Sequence, residues 1–462
     1  MRVQLFFPPF DNQDETVVNL LPLGIAYIGT VLSREGHVIE AYNYENAGGG
    51  AISLMLQKVR NFRPEMVGMT CLTNNRGSCI RFAKKVKKYN PNIKVVLGGV
   101  HATIMHKQIL SHFAAIDIIV MGEGELTVRE LVSTIEKKGD LKSVKGLAFR
   151  EHGKIIETEK REPIKDLDTL PIPNLEFFRK QIEETKTGCI YSSRGCPYHC
   201  NFCSTSHYWN NMWRPRSPKH VVDEIEYLLT NFQVKYLYFT DDCFSTSKKR
   251  VIEICRKIVQ RGLKVKFTVS TRVNFIDDES LRWLKKAGAV EVAFGVESGS
   301  PKILGNIGKQ EDLSQVITAC KKTAKWGLTP SVLLFVGTPG ENQETINETK
   351  KLVDQIYRSA KIDYVRLLEV YPGVPLYEHA KKIGFIDDDY WLTNKDPPIF
   401  TAENSKEQLQ RWSTEIVLHN YRRKGIEFMA RYLIKSIFTH PVKVLKFAWQ
   451  RKFFGTFLRS RA

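Results

Sequence analysis

The segment Arg194-Gly-Cys196-Pro-Tyr-His-Cys200-Asn-Phe-Cys203 places three cysteines within eight residues. It follows a short strand pattern, Cys189–Ser192, so these thiols are expected in a loop at the carboxyl end of that strand. Three thiolates this close together favour a soft metal centre. Structural zinc usually takes four ligands, often from two C-x2-C pairs, and the sequence has no second pair. An iron–sulfur cluster held by three cysteines would instead leave one iron open to a small molecule.

Strand and helix patterns alternate on the carboxyl side of this motif. The predicted strands are Cys189–Ser192, Lys235–Thr240, Lys266–Thr271, Glu291–Val296, Pro330–Phe335 and Tyr364–Val370. The predicted helices are Val221–Leu229, Lys249–Arg261, Glu279–Ala287, Leu313–Lys325 and Gln343–Ile356. About six such units with parallel strands predict an incomplete βα barrel, whose chemistry belongs at the carboxyl ends of the strands. Polar residues stand at those ends: Asp241, Asp242, Arg272, Glu297 and Ser298.

The first 157 residues show the same alternation. The predicted strands are Val3–Phe7, His37–Tyr42, Met66–Cys71, Lys94–Leu97 and Asp117–Met121, and the predicted helices are Leu23–Arg34, Ile52–Arg60, Ser78–Lys88 and Leu126–Lys137. This order predicts a Rossmann-like, doubly wound α/β sheet, which a hairpin over residues 147–157 would close. Ligands of such sheets bind at the carboxyl ends of the strands. At those ends or just beyond them stand Thr70, Gly98, Gly99, His101 and Glu123.

The composition of the chain restricts the class of protein to which it can belong. With 462 residues, 42% hydrophobic and 26% charged, the chain has an ordinary globular balance, which excludes collagen, wholesale disorder and a membrane channel. The net charge of +19 indicates an anionic partner: nucleic acid, an acidic membrane surface or a small molecule. The nine cysteines come without a secretory signal, and no apolar stretch approaches the ~18 residues of a spanning helix. The chain is therefore expected in the cytoplasm, without a disulfide framework.

Four segments are predicted: a domain over residues 1–157, a proline-containing linker over 158–185, a barrel over 186–385 and a basic helical region over 386–462. From Tyr421 onward, eleven Lys and Arg residues stand against one acid, Glu427, which gives this tail a net charge of +10. Its apolar residues recur at helical spacing. The tail either lies on a membrane surface or packs on the barrel with a solvated basic face.

The cysteine motif, with Phe202 before its last cysteine and a partial barrel behind it, resembles the radical S-adenosylmethionine (SAM) superfamily. The resemblance implies that Cys196, Cys200 and Cys203 hold a [4Fe-4S] cluster whose open iron chelates SAM. It also implies anaerobic chemistry in which a flavodoxin- or ferredoxin-type reductant drives cleavage of SAM to a 5′-deoxyadenosyl radical. The residues it implies as SAM contacts are Phe202, Asp241, Asp242, Arg272, Glu297 and Ser298. A loop cap remains the alternative for the two acids, whose motif departs from the commoner Gly-Gly-Glu, and a structural salt bridge for Arg272.

The N-terminal half resembles the cobalamin-binding domain of one radical SAM class. The motifs are Pro8-Pro9, Pro22–Tyr27, Gly98–Thr103 and Gly122–Glu125, joined in the barrel by Phe294–Ser300, Gly337–Glu341 and Tyr371–Gly373. The resemblance implies cobalamin contacts from Thr70, Gly98, Gly99, His101 and Glu123, with His101 expected at the corrin periphery. The D-x-H-x-x-G motif that supplies a cobalt-binding histidine in many cobalamin proteins is absent, which leaves open that the domain has lost its cofactor.

This class implies methylation of an unactivated carbon, for which SAM supplies both the methyl group of cobalamin and the radical. Membrane contact through the tail would indicate a hydrophobic substrate such as a tetrapyrrole or an isoprenoid lipid. An oxidative cyclase or rearrangement enzyme is the first alternative. RNA modification is a distant second, because the chain lacks an early cysteine triad and its tail is helical rather than a β-barrel. A non-catalytic iron–sulfur protein is the third.

Overall fold

Seven strands form the sheet of the N-terminal domain in the computed structural model, which describes residues 1–11 and 20–425. They are β1 (Arg2–Phe7), β2 (Val38–Asn43), β3 (Met66–Thr70), β4 (Lys94–Gly98), β5 (Ile118–Val120), β6 (Leu147–Glu151) and β7 (Lys154–Glu157). The order is β2-β1-β3-β4-β5-β6-β7; the first five strands run parallel, and the antiparallel hairpin β6–β7 extends the sheet beyond β5. The predicted doubly wound sheet and closing hairpin are confirmed.

Six helices accompany this sheet: α1 (Leu23–Arg34), α2 (Ala51–Phe62), α3 (Arg76–Tyr89), α4 (Val100–Ile104), α5 (His106–His112) and α6 (Gly124–Glu136). Every residue of β1 after Arg2 is buried, as in a parallel strand that is covered on both faces. The sequence patterns did not predict α4 and α5. These helices have only five and seven residues, which is too short for a helical period to show.

The second domain contains eight strands: β8 (Thr187–Ile190), β9 (Ser193–Arg194), β10 (Arg214–Pro215), β11 (Tyr236–Phe239), β12 (Lys266–Thr271), β13 (Ala289–Glu297), β14 (Thr329–Val336) and β15 (Val365–Leu367). Six of them form a parallel sheet in the order β8-β11-β12-β13-β14-β15, while β9 and β10 pair with each other. The strands follow one another in chain order, so the predicted incomplete barrel is confirmed.

The helices of this part are α7 (Arg179–Thr185), α8 (Ser204–Tyr208), α9 (Pro218–Phe232), α10 (Lys248–Gln260), α11 (Asp278–Ala287), α12 (Pro301–Asn306), α13 (Leu313–Lys325), α14 (Gln343–Ile356), α15 (Pro375–Lys382) and α16 (Lys406–Lys424). Local sequence sets their limits. At the start of α9, Ser217 accepts a hydrogen bond from the His220 amide, and Pro218 takes the first helical position. At α11, Asp277 and Ser280 form a reciprocal capping box, and Gly288 ends the helix in the left-handed region.

The segment between the domains is more than a surface linker. Leu167, Leu175 and Ile182 are at most 1% exposed and belong to a hydrophobic core that also contains side chains of both sheets. The sequence predicts only a linker here, because prolines and mixed charges obscure any period. In the structure its scattered apolar residues pack between the two domains.

The part of the chain that follows the barrel contacts both domains. Arg76 of α3 donates from Nε to the carbonyl oxygen of Trp391 (3.2 Å), and Ser413 of α16 donates to the carbonyl oxygen of Val365 in β15 (2.7 Å). The predicted basic tail lies outside the described residues from 426 onward. Within the described ranges, no helix combines the length and apolarity needed to cross a bilayer.

Candidate active site

The carboxyl ends of both sheets open into one cavity of about 540 Å³, which we call the shared cavity. The N-terminal domain lines it with Thr70, Gly98, Gly99 and Glu123, four of the residues predicted to contact cobalamin. The barrel side contributes Tyr191, Arg194, Tyr208, Trp209 and Asp242. Most of the remaining wall is apolar. One predicted SAM contact, Asp242, therefore faces the same space as four predicted cobalamin contacts, and the size of the cavity is that of a small-molecule site.

The three cysteines lie in a tight loop, residues 195–203, between β9 and α8, which we call the cysteine loop. All three are partly exposed, and the Cys203 amide donates to the Cys200 carbonyl oxygen (3.2 Å). Gly195 opens the loop at φ +88, and a Cβ there would lie 2.0 Å from the Met212 carbonyl oxygen. A side chain at this position would therefore displace the loop.

These thiols fit the predicted cluster. Among the residues that the structure describes, no three His, Cys, Asp or Glu side chains close on a single ion position. An iron–sulfur cluster has a different requirement, because each cysteine binds a separate iron. Burial raises the pKa of the Cys200 thiol, and the positive charges of Lys309 and Arg272 oppose that rise. Cationic groups beside the loop favour the thiolates that a cluster needs.

A fourth cysteine lies against the loop. Cys243, which is 1% exposed, shares a hydrogen bond with the Cys196 thiol, and this bond lowers the pKa of the Cys243 thiol. Cys243 was not among the predicted site residues, although its place directly after Asp242 at the end of a barrel strand was an available signal.

The paired acids after β11 have different surroundings. Asp241 accepts hydrogen bonds from the Ser192 amide (3.0 Å) and hydroxyl (2.7 Å) and from the Ser193 hydroxyl, so its carboxylate caps the loop after β8. Asp242 lines the shared cavity and accepts from the Gly195 amide (2.9 Å). Desolvation by the surrounding protein raises the pKa of Asp242 to about 6. Of these two acids, both predicted to contact SAM, only Asp242 lines the shared cavity.

Arg272 and Glu297 belong to a buried group of four charges beside the cysteine loop. Arg272 lies 3.8 Å from the Tyr198 ring centroid and donates from Nε to Glu311 (2.9 Å). Lys309 lies 3.3 Å from Glu297 and 3.7 Å from Glu311. Lys309 and Glu311 were missed by the sequence analysis. Their only signal was the charged stretch after Gly308, which by itself resembles a solvated loop.

The other two predicted SAM contacts take part in packing. Ser298 is 1% exposed; its hydroxyl lies 3.4 Å from that of Thr349 in α14 and accepts from the Ser300 amide (3.2 Å). Phe202 packs edge-on against Phe335 of β14, with ring centroids 4.9 Å apart. Both side chains hold neighbouring elements together at the barrel end, and neither lines the shared cavity.

At the carboxyl edge of the N-terminal sheet, where cobalamin is expected, glycines leave the backbone without side chains. Gly99 has φ +98, and a Cβ there would lie 2.8 Å from the Cys71 carbonyl oxygen. Together with Gly98, Gly122 and Gly124, it exposes backbone toward the shared cavity, which fits close approach by a large flat ligand. The structure does not bring His101 there. Its imidazole is 1% exposed and contacts the Thr73 hydroxyl (3.1 Å) and the edge of Trp391.

Glu123 reaches the cavity wall, but its oxygens are already bound. They accept from Arg194 (2.5 Å), from Arg214 (2.8 Å) and from the Ile164 amide (2.7 Å). Burial raises the pKa of Glu123, but the two guanidinium groups outweigh it and hold the pKa below its usual value. Arg214 was not selected from the sequence.

Two models of known protein families match the two halves of this chain. A model of the B12 binding domain matches residues 15–132, and a model of the radical SAM superfamily matches residues 190–353. An uncharacterized methyltransferase of Pyrococcus horikoshii is 32% identical over 455 residues, which cover 96% of each chain. The anaerobic magnesium-protoporphyrin IX monomethyl ester cyclase of Cereibacter sphaeroides is 31% identical over 460 residues, 96% of this chain and 72% of that protein.

The fold also matches a solved structure, the methyltransferase TsrM from Kitasatospora setae with cobalamin and a [4Fe-4S] cluster bound. The TM-score is 0.70 over 82% of this chain and 75% of that one, at 18% identity, so the likeness concerns the fold. Enzymes of this kind act on a substrate and take electrons from a reductant. The chain belongs to the cobalamin-dependent radical SAM enzymes, a family of methyltransferases and cyclases whose cofactors are a [4Fe-4S] cluster, SAM and cobalamin.

Proposed function

We propose that this enzyme transfers a methyl group to an unactivated carbon of a hydrophobic substrate, of the tetrapyrrole or isoprenoid class. The observation that carries the proposal is the shared cavity, which the glycine edge of the cobalamin-binding domain and Asp242 of the barrel line together and whose wall is mainly apolar. When bound, the cluster and SAM supply a radical that abstracts hydrogen from the substrate, and cobalamin supplies the methyl group. A radical and a methyl donor must reach the same carbon, and one cavity between the two domains provides that arrangement.

The residues of the chain position these groups and limit the access of water. Cys196, Cys200 and Cys203 would hold the cluster, and the bare glycine edge at Gly98 and Gly99 would receive the corrin. Asp242, with its pKa raised to about 6, places a carboxyl group beside the cysteine loop. Apolar strand side chains such as Leu5 and Met66 form the floor of the cavity and exclude water around reactive species.

Oxidative cyclisation is the second candidate. It is favoured by the cyclase of Cereibacter sphaeroides, which is similar over nearly the whole chain. The same cofactors and the same apolar cavity serve either outcome, so the product distinguishes the two functions.

The test uses the anaerobically reconstituted full chain, SAM with a deuterated methyl group, a strong reductant and lipid or tetrapyrrole fractions as substrate. Mass spectrometry should detect 5′-deoxyadenosine together with a product that carries the deuterated methyl group. Cys203→Ala serves as the control and should yield neither. Formation of 5′-deoxyadenosine with an altered product that lacks the label would contradict methyl transfer and support the cyclase.

We also infer a flavodoxin- or ferredoxin-type reductant and a cytoplasmic location at the inner face of the membrane. The inference about the membrane rests on the sequence of the tail, with its net charge of +10 and its aromatic residues. The full chain should sediment with anionic vesicles at low salt and be released at high salt, whereas a chain ending at residue 425 should not sediment. Equal sedimentation of both chains would contradict membrane contact through the tail.

A further inference from the structure

Both flanks of the cysteine loop are attached to one segment of the cobalamin-binding domain. On the leading side, Arg194 lies two residues before Cys196; its Nη1 is 2.5 Å from Glu123 and its Nη2 is 2.6 Å from Glu125. On the trailing side, Tyr208 of α8 donates its hydroxyl to the Gly122 carbonyl oxygen (3.0 Å). Residues 122–125, which we call the acidic turn, join β5 to α6 at the edge of the shared cavity.

These contacts are enclosed by protein. The side chains of Glu123 and Glu125 are each 5% exposed and that of Arg194 is 12% exposed. Arg214 adds a third link, from the β9–β10 ladder to Glu123 (2.8 Å). A planar guanidinium that spans two carboxylates has little freedom to rotate, so this pairing fixes direction as well as distance.

Domain stability alone is a weak explanation for such an arrangement. Removing charges from water costs several kcal/mol per ion, and an apolar contact of similar volume often stabilises a protein as well or better. An ion pair at this place does fix geometry. The chain between Arg194 and the first cluster thiol is a single glycine, and Gly195 is itself held by Asp242 (2.9 Å) and by its lack of room for a Cβ.

We propose that Arg194 and Tyr208 are positioning residues that hold the cysteine loop at a fixed distance from the cobalamin edge. Through the acidic turn they would set the separation of the cluster and the cobalt across the shared cavity. Glu123 and Glu125 are then the anchors of this link rather than contacts of the corrin. The inference rests on the cofactor pair, and it requires neither methyl transfer nor a particular substrate.

The experiment measures that separation directly. The reconstituted full chain is poised so that the reduced cluster and divalent cobalt are both paramagnetic, and pulsed electron paramagnetic resonance gives their distance distribution. Three variants weaken two of the links: Arg194→Lys and Glu125→Gln act on the arginine pairing, and Tyr208→Phe removes the hydroxyl bond to Gly122. The control is Arg216→Lys, because Arg216 forms an even more buried pair with Glu224 (2.5 Å) that lies within the second domain.

The link variants should bind iron and cobalamin as the wild type does. Their distance distribution should broaden and its mean should shift by about 1 Å, the scale at which misplacement impairs catalysis. The control should unfold more easily and keep the wild-type distribution. An unchanged distribution in Glu125→Gln and Tyr208→Phe, with both cofactors bound, would overturn the proposal. An equal shift in the Arg216→Lys control would also overturn it, because general loosening would then be sufficient. Neither result bears on whether the product is methylated or cyclised.

Discussion

The Nζ of Lys309 lies 3.3 Å from Oε1 of Glu297 beside the cysteine loop, where the lysine side chain is 5% exposed and the glutamate side chain 15%. Glu297 has φ +72, a left-handed conformation that is uncommon for a residue with a side chain. Gly295 leaves room for it, since a Cβ at 295 would lie 2.5 Å from Glu297 Oε1. The end of β13 is therefore shaped around this ion pair.

Replacing Lys309 should lower the free energy of unfolding. In Lys309→Met, two carboxylates, Glu297 and Glu311, lose their shared cation, and breaking a buried pair in this way costs about 3–5 kcal/mol of unfolding free energy. Urea unfolding followed by circular dichroism measures the loss. Lys302→Met on the exposed side of α12 is the matched control and should change stability by about 0.5 kcal/mol or less. Equal losses in the two variants would contradict a role for the buried pair.

The predicted cluster ligands should differ from the other cysteines. Alanine at Cys196, Cys200 or Cys203 removes one of three thiolates, so the anaerobically purified variant should lose its iron and its cluster absorbance. Cys255→Ala, in the buried face of α10, should retain both. Iron and sulfide analysis with absorption spectra makes the comparison. Full iron content in a variant of the cysteine loop would contradict its assignment as the cluster site.

Alanine substitutions at two adjacent glycines, Gly98 and Gly99, should change stability by different amounts. Gly99 has φ +98 and ψ 175, and a Cβ there would lie 2.8 Å from the Cys71 carbonyl oxygen, so Gly99→Ala should lose about 1–3 kcal/mol. At Gly98 the nearest atom to a new Cβ is 3.8 Å away, so Gly98→Ala should be nearly neutral. Thermal unfolding of the two variants gives the difference. A smaller loss for Gly99→Ala than for Gly98→Ala would show that backbone strain is not decisive here.

His101 should make stability depend on pH. Burial and the charge of Arg76 lower its pKa to about 3, whereas an unfolded imidazole titrates near about 6.5. Between these values only the unfolded chain binds the proton, so the contribution is present above about pH 6.5 and is lost as the pH falls toward 3. The slope should reach about 1.4 kcal/mol per pH unit.

Urea unfolding at about pH 7 and about pH 5 tests this expectation. His101→Gln retains a polar group near Thr73 but cannot be protonated, so its unfolding free energy should fall less between the two pH values. A wild-type slope no steeper than that of the variant would contradict a neutral buried imidazole.

The periodic spacing of apolar residues was sufficient to predict the architecture of both domains. The predicted limits of Leu23–Arg34, Lys266–Thr271 and Gln343–Ile356 coincide with α1, β12 and α14, because regular apolar spacing marks all three and a capping box at Asn342 also marks the start of α14. The short helices α4, α5 and α8 carry no such period, and they were not predicted.

Polar residues were harder to interpret. Asp241 and Asp242 are adjacent, yet one caps a loop and the other lines the shared cavity, a difference that no spacing rule conveys. His101 follows a glycine pair at a strand end, as a ligand-binding residue would. In the fold its ring turns away from the cavity toward Trp391.

The sequence by itself determined the two domains, the positions of most of their strands along the chain and the cysteine loop, because these depend on periodicity and on residues close together in the chain. Only the tertiary structure decided the partners of the charged side chains. Arg194 and Glu123 are 71 positions apart, and Arg272 and Glu311 are 39 apart. Ion pairs follow distance in space, which is set for Arg194 and Glu123 by the packing of the two domains and for Arg272 and Glu311 by the folding of the barrel.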